Sequence, residues 1–157
     1  MSAQDLPSTF PSAGDPSLLE AFLRTLANQA SVGIFLADSR GHTLYLNERL
    51  RRIAGLSGTS AAGECWLNAL LPEDYDLIVT DWTTAIEQDR SFSREFRFQR
   101  PDGSVRWVMA EAFPLRIGDG PSSGYAGMVR DITPRQLALD ALHACEERYR
   151  SLASLSP

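Results

Sequence analysis

The chain has 157 residues and a formal net charge of −5 at pH 7, and hydrophobic residues make up 43 % of it. This composition favours one globular domain with extra segments at its ends. The acidic balance argues against a nucleic-acid partner, whose binding surface would be basic. No apolar run reaches the roughly 18 residues that cross a bilayer, and the N-terminus lacks the features of a secretory signal. The two cysteines lie far apart, which favours a cytoplasmic, reducing location.

The N-terminal part divides into an unstructured segment and a helix. Residues 1–14 are rich in Ser, Pro and Ala and are predicted to be disordered. A flanking helix is predicted over 15–30, with Asp15 or Ser17 as its N-cap. We expect this helix to pack an apolar stripe against a neighbour. The stripe consists of Leu19, Phe22, Leu23 and Leu26.

A hairpin and a helical stretch follow. Residues 33–38 and 42–47 are strand-like, and Gly41 supplies the positive φ that closes a tight turn between them. Residues 48–90 contain short helical pieces and then a longer helix that begins at Pro72. Helical spacing predicts a buried face on this longer helix. That face consists of Tyr75, Ile78, Trp82 and Ile86.

Three strands complete the pattern. Residues 91–100 alternate, with Phe92, Phe96 and Phe98 on one side. The PDG sequence at 101–103 forms a turn, the strand over 104–117 returns, and the last strand covers 124–132. Strands at both ends with helices between them predict an α+β fold, with an antiparallel sheet and the middle helices on one face.

The last strand passes directly into a helix. Thr133 is predicted as the N-cap, Pro134 as the first helical residue, and Gln136 as the partner of Thr133 in a capping box. Each of these signals contributes about 0.5–1 kcal/mol. The segment from Asp131 through Ile132 to Gln136 is therefore predicted to be a stiff joint.

The helix beyond the joint, over 134–157, carries an apolar seam with the spacing 4, 3, 4, 3. The seam consists of Ala138, Leu142, Cys145, Tyr149 and Leu152. Such a short heptad pattern has two interpretations. The helix pairs with a second copy in a parallel coiled coil, or it folds back on its own domain.

Five motifs, in this order, resemble those of the PAS domain family, the sensor modules of bacterial signalling proteins. They are VGIFLADSRGHTLYLN (32–47), LLPEDYDLIVTDW (70–82), FSREFRFQRPDGSVRWV (92–108), GMVRDIT (127–133) and EERYRSL (146–152). The resemblance covers roughly residues 30–135. It places a PAS domain at 31–133 and a signalling or linker helix at 134–157.

The resemblance implies a fold and a role. The fold is a five-stranded antiparallel sheet in the order 2-1-5-4-3, with helices on one face and a pocket between sheet and helices. The role is that of an input or dimerisation module upstream of a histidine kinase, a diguanylate cyclase or another PAS domain. The residues show neither a kinase histidine box nor a nucleotide-binding glycine loop, so the effector is expected elsewhere.

Seven large side chains could surround a small-molecule ligand or simply fill the core. They are Phe35, Tyr45, Trp66, Trp82, Phe96, Trp107 and Met109. The family's photoactive flavin branch has a reactive cysteine, but Cys65 lies one place too early and the neighbouring Asn and Gln are absent. Neither His42 nor His143 lies on the long helix, where the oxygen-sensing branch places its haem ligand. The cofactor is therefore unknown, with a small metabolite or no ligand both open.

No catalytic or metal site is predicted, because two histidines and two distant cysteines form neither a triad nor a zinc pattern. Glu95 alternates with Arg94 and Arg97, which suggests cross-strand ion pairs, and Asp131 lies at the joint. We therefore expect a non-enzymatic cytoplasmic homodimer that relays a signal to a downstream effector. The alternative is a ligand-free module that only pairs subunits or recruits a partner protein.

Overall fold

The computed structural model describes residues 16–56 and 66–155. In chain order its elements are helix α1 (Pro16–Gln29), strands β1 (Gly33–Asp38) and β2 (Thr43–Leu46), helix α2 (Glu48–Ala54), a 3-10 helix (Trp66–Ala69), helix α3 (Pro72–Glu87), strands β3 (Phe92–Gln99), β4 (Val105–Leu115) and β5 (Gly124–Asp131), and helix α4 (Thr133–Ser154). The predictions for residues 1–14, Asp15 and Cys65 lie outside the described residues. Within the described ranges, no helix is both long and apolar enough to cross a membrane.

The five strands form one antiparallel sheet in the order β2-β1-β5-β4-β3. This confirms the fold that the resemblance implies. Gly41 and Gly103 have positive φ angles of 85° and 84° in the two hairpin turns. Glycine adopts this conformation without steric cost because it has no Cβ, so both turns form where the sequence predicts them.

The inner face of the sheet, which α2, the 3-10 helix and α3 cover, holds the hydrophobic core. On β3 the predicted alternation is confirmed, since Phe92, Phe96 and Phe98 are all buried. On α3, Ile78 and Trp82 are buried as predicted, but Tyr75 is 43 % exposed. The prediction for Tyr75 is wrong because the first turn of α3 contacts the edge strand β3 through Asp74, which leaves Tyr75 towards solvent.

The C-terminal end of helix α1 is hydrogen-bonded to the domain through Asn47 and through Asn28, whose Oδ1 accepts from the Glu48 amide at 3.4 Å. Asn47 is fully buried, and its Oδ1 accepts hydrogen bonds from the main-chain amides of Ile34 and Leu50. Its Nδ2 donates to the carbonyls of Ala27 and Val32. A single amide thereby joins α1, β1 and α2.

The apolar stripe of α1 stays half exposed, at 49–56 % for each of its four predicted members. Ala27 is the buried residue of this helix. The expected neighbour of the stripe is therefore not found in the described part of the chain.

Candidate functional site

The joint between β5 and α4 contains no loop. Strand β5 ends at Asp131 and α4 begins at Thr133, which is 7 % exposed. The main-chain amide of Trp107 on β4 donates to Thr133 Oγ1 at 3.0 Å, and the Ile132 amide donates to the Trp107 carbonyl at 2.8 Å. The Thr133 hydroxyl also lies 3.4 Å from that carbonyl. The joint is therefore hydrogen-bonded directly to the neighbouring strand.

The predicted capping box is wrong. Ile132 is the N-cap residue, and its side chain makes no capping hydrogen bond. Asp131 Oδ1 instead accepts from the Thr133 amide at 2.9 Å, while the Gln136 amide donates to the Ile132 carbonyl at 3.0 Å. The physical reason is that the pairing with β4 continues past the end of β5, which places the Thr133 hydroxyl against β4. Pro134 does lie in the first turn, as predicted.

Two ion pairs also connect the joint and the first turn of α4 to the sheet. Arg106 on β4 lies 3.7 Å from Asp131, and Arg135 on α4 donates to Glu95 on β3 at 3.0 Å. Exposed pairs of this kind contribute about 0–1 kcal/mol each.

The arginines of β3 form their ion pairs with α3 rather than with the neighbouring strand. Arg94 Nε lies 2.7 Å from Asp81 Oδ2, and the Arg97 guanidinium bonds Asp74 at 2.6 and 3.0 Å. The predicted cross-strand ion pairs of Glu95 are therefore wrong. The register explains this, because the β4 residues opposite positions 94, 95 and 97 are uncharged. The hydrogen bonds from Arg97 lower the pKa of Asp74 below its ordinary value.

Four of the seven predicted ligand-pocket residues meet on the inner face. Phe35, Trp66, Trp82 and Phe96 are all buried. The ring centroid of Trp66 lies 5.6 Å from that of Phe35, 5.8 Å from that of Trp82 and 5.7 Å from that of Phe96. These four rings are called the inner cluster below. Trp66 contacts each of the other three rings, and Phe35 also contacts Trp82, which is the arrangement of a packed core.

The other three residues lie on the opposite, outer face of the sheet. Trp107 and Met109 alternate with the buried residues of β4, whose inner positions are Val108, Ala110 and Ala112. Tyr45 pairs with Leu36, away from the core. The seven residues therefore do not line one common space, and a ligand role for the inner cluster stays a prediction.

One polar atom of the inner cluster has no hydrogen-bond partner among the described residues. It is Trp66 Nε1, although Trp66 is completely buried. Trp82 Nε1, by contrast, lies 3.4 Å from the Gly41 carbonyl, to which it donates.

The histidines do not face the inner cluster. His42 lies in the first hairpin turn, 3.2 Å from Asp38, and His143 lies on α4, 3.9 Å from Glu146. Both side chains are largely exposed, so haem with a histidine as its axial ligand does not fit these positions. In the described part of the chain, no group of three or more His, Cys, Asp or Glu residues could hold a metal ion.

The seam of α4 is exposed along its whole length. Every described residue from Leu137 to Leu155 is exposed, including Leu142, Cys145 and Tyr149. The helix therefore extends away from the domain and does not fold back on it. Its apolar side chains are available for another helix.

This fold and this joint define an α+β domain with an outgoing helix. A family model described as "PAS fold" matches residues 27–137. The chain belongs to the PAS family.

The chain is similar to parts of known sensor proteins. It is 28 % identical to the peroxide stress-activated histidine kinase mak1 of Schizosaccharomyces pombe, over 86 % of this chain and 9 % of that protein. It is 27 % identical to the two-component sensor PprA of Pseudomonas aeruginosa, over 87 % of this chain and 15 % of that protein. The crystal structure of a PAS domain from Colwellia psychrerythraea matches with a TM-score of 0.62 and 22 % identity, over 74 % of this chain and 98 % of that one.

Proposed function

We propose that this chain is a cytoplasmic sensory and dimerisation domain of a larger signalling protein. The relatives favour a histidine kinase as the effector, with a diguanylate cyclase as the other candidate. The observation that carries the proposal is the loop-free joint, in which the main chain of β4 holds the start of α4. The chain itself acts without catalysis and passes a conformational change to the effector.

The proposed relay runs through the segment from Asp131 to Gln136. Both main-chain polar groups of Trp107 bond to this segment, so a shift of β4 relative to β5 moves the first turn of α4. The domain then has two states, which differ in the position of β4 relative to β5 and in the orientation of α4. A ligand or partner that binds one state more tightly than the other changes their populations.

The partner of α4 is a second copy of the chain. Its seam residues are apolar, exposed and spaced as a heptad repeat, so two copies would bury them against each other in a parallel coiled coil. Two paired exit helices would then transmit a rotation or a register shift to the effector.

Cys145 offers a direct test of this dimer, because it lies on the seam and is a free, exposed thiol. In a parallel, in-register pair the two Cys145 side chains approach within disulfide range. A mild oxidant such as diamide would then remove two electrons and two protons from the thiol pair and form one disulfide between copies. We expect rapid cross-linking of the Cys65→Ser variant.

The matched control moves the thiol to the other side of α4. In a Cys65→Ser, Cys145→Ser background, the change Glu147→Cys places it opposite the seam, where cross-linking should be much slower. Equal rates at both positions, or a monomer by light scattering at high micromolar concentration, would refute the parallel dimer.

The alternative function is a ligand-free pairing module. The observation that favours it is the inner cluster, in which the other three rings already pack against Trp66. An absorbance spectrum from the ultraviolet to the red and mass spectrometry of denatured protein separate the two functions. A co-purified small mass or colour supports a ligand-binding sensor, whereas a dimer with neither supports the pairing module.

A further inference from the structure

Arg97 is bonded to α3 through its main chain. Its amide donates to Asp74 Oδ2 at 3.0 Å, and its carbonyl accepts from the Leu71 amide at 2.9 Å. Because β3 is the edge strand of the sheet, these two bonds satisfy groups that an edge strand otherwise leaves open. The start of α3 is thus fixed to β3 at residue 97.

The side chain of Arg97 also contacts Trp107 on β4. Trp107 is its cross-strand partner, and the guanidinium carbon lies 5.2 Å from the centroid of the Trp107 ring. Its nitrogens also bond the Asp74 carboxylate at 2.6 and 3.0 Å. This carboxylate therefore holds the guanidinium in its position over the indole.

The main chain of Trp107 in turn faces the joint. Its amide bonds Thr133, and its carbonyl accepts from Ile132. Residues 97 and 107 therefore direct their main-chain groups away from each other. What connects them is the contact between their side chains, as expected for a pair with no main-chain bonds between its members.

From this arrangement we infer that Arg97 is a positioning residue, which couples the start of α3 to the start of α4. The inference deepens the proposed function, since it rests on the joint being the relay. It also explains how a change in the inner cluster could reach α4, because Trp66 begins the 3-10 helix that leads through Leu71 into α3.

The chain provides a matched control in the Arg94–Asp81 pair. It joins the same helix to the same strand, at 2.7 Å. The residue opposite Arg94 on β4 is Ala110, whose methyl group offers no aromatic face. Loss of this pair removes an ion pair between the same two elements without touching Trp107.

Amide hydrogen exchange of the complete 157-residue chain, followed by NMR, tests the inference. The variants are Asp74→Asn and Arg97→Met, with Asp81→Asn as the control. The central amides of β1 report global unfolding, so exchange at Trp107, Ile132 and Thr133 is expressed relative to them. We expect about a threefold to tenfold relative acceleration at the joint in the two test variants and none in the control.

Arg97→Lys distinguishes the effect of the positive charge from that of the planar guanidinium. Lysine retains the ion pair but cannot stack on the indole or bond the carboxylate with two nitrogens. We expect an intermediate acceleration at the joint and a changed indole resonance of Trp107. Joint exchange that is unchanged in Asp74→Asn and Arg97→Met, or accelerated equally in Asp81→Asn, would overturn the inference.

The outcome is independent of the dimer test. If exchange at the joint accelerates in Asp74→Asn and Arg97→Met but Cys145 does not cross-link, the role of Arg97 is supported and the proposed dimer is refuted. If Cys145 cross-links but exchange at the joint is unchanged, the dimer is supported and the role of Arg97 is refuted.

Discussion

The two faces of the sheet differ in what holds them together. The inner face is a buried cluster of aromatic rings that pack on α2, the 3-10 helix and α3. The outer face carries partly exposed side chains, among them the Arg97–Trp107 stack, and the joint on the same strands is held by hydrogen bonds and ion pairs. We therefore expect the inner face to supply most of the stability, and the joint and the outer face to set the direction of α4.

The largest effect is expected from truncation on the inner face. Trp82 contacts the rings of Phe35, Trp66, Phe92 and Tyr125, so Trp82→Ala should lower the free energy of unfolding by about 3–5 kcal/mol. Urea denaturation followed by circular dichroism measures it.

Leu77→Ala is the control for this variant. Leu77 lies on the same helix but is exposed, so the change should be within about 0.5 kcal/mol. Similar losses in both variants would contradict the assignment of the inner face as the source of stability.

The second largest effect is expected at the contact between α3 and β3. Asp74→Asn removes the charged acceptor of three hydrogen bonds from Arg97, which should cost about 1.5–3 kcal/mol at neutral pH. Since Arg97 lowers the pKa of Asp74, the contribution of the carboxylate is present in full above about pH 4, the pKa of free aspartate. It is lost as the pH falls through the lower pKa of the folded state.

Urea denaturation of parent and Asp74→Asn over a series of pH values checks this. The difference in free energy of unfolding should be constant from neutral pH to about pH 4 and shrink below that. A difference that grows on acidification would show that the sign is wrong.

A smaller effect on stability is expected at the joint itself. Thr133→Val keeps the shape of the side chain but removes the acceptor for the Trp107 amide, which should cost about 1–2 kcal/mol. Thr133→Ser restores the hydroxyl and should recover most of the loss. In the full-length protein, Thr133→Val should reduce signalling more than this loss of stability explains, and normal signalling amplitude would contradict the relay.

The smallest effect is expected on the outer face. Arg135→Gln removes the exposed pair with Glu95, which should change the free energy of unfolding by less than about 1 kcal/mol. That change should disappear at high salt because exposed charges are screened. A larger loss of unfolding free energy that does not depend on salt would show that the outer face also supplies much of the stability.

The sequence predicts the elements well and the faces of β4 poorly. Large residues at 107 and 109 suggest an inward face, but the inner positions carry Val108, Ala110 and Ala112. Small side chains are needed there because rings from β1, β3 and α3 fill the same volume. The signal was available in the hairpin, since the turn at 101–103 sets Val108 opposite the inward Phe96.

The joint shows a different limit. The residues from Asp131 to Gln136 correctly predict where a helix begins, because proline and short polar side chains favour its first turn. They do not predict which group caps it, since that depends on the approach of β4. The bonds of Asn47 and the stack of Arg97 on Trp107 are also contacts between distant segments, and local patterns carry little information about those.

The central claim is that the sheet and α4 form one stiff unit. Pulsed electron paramagnetic resonance measures it with spin labels at Gln99→Cys on β3 and Asp140→Cys on α4. Both cysteines of the parent are replaced by serine, and the labelled chain is diluted with unlabelled chain. The account predicts one narrow distance distribution that broadens or shifts in Thr133→Val. A broad distribution in the parent, or a narrow one that Thr133→Val leaves unchanged, would contradict it.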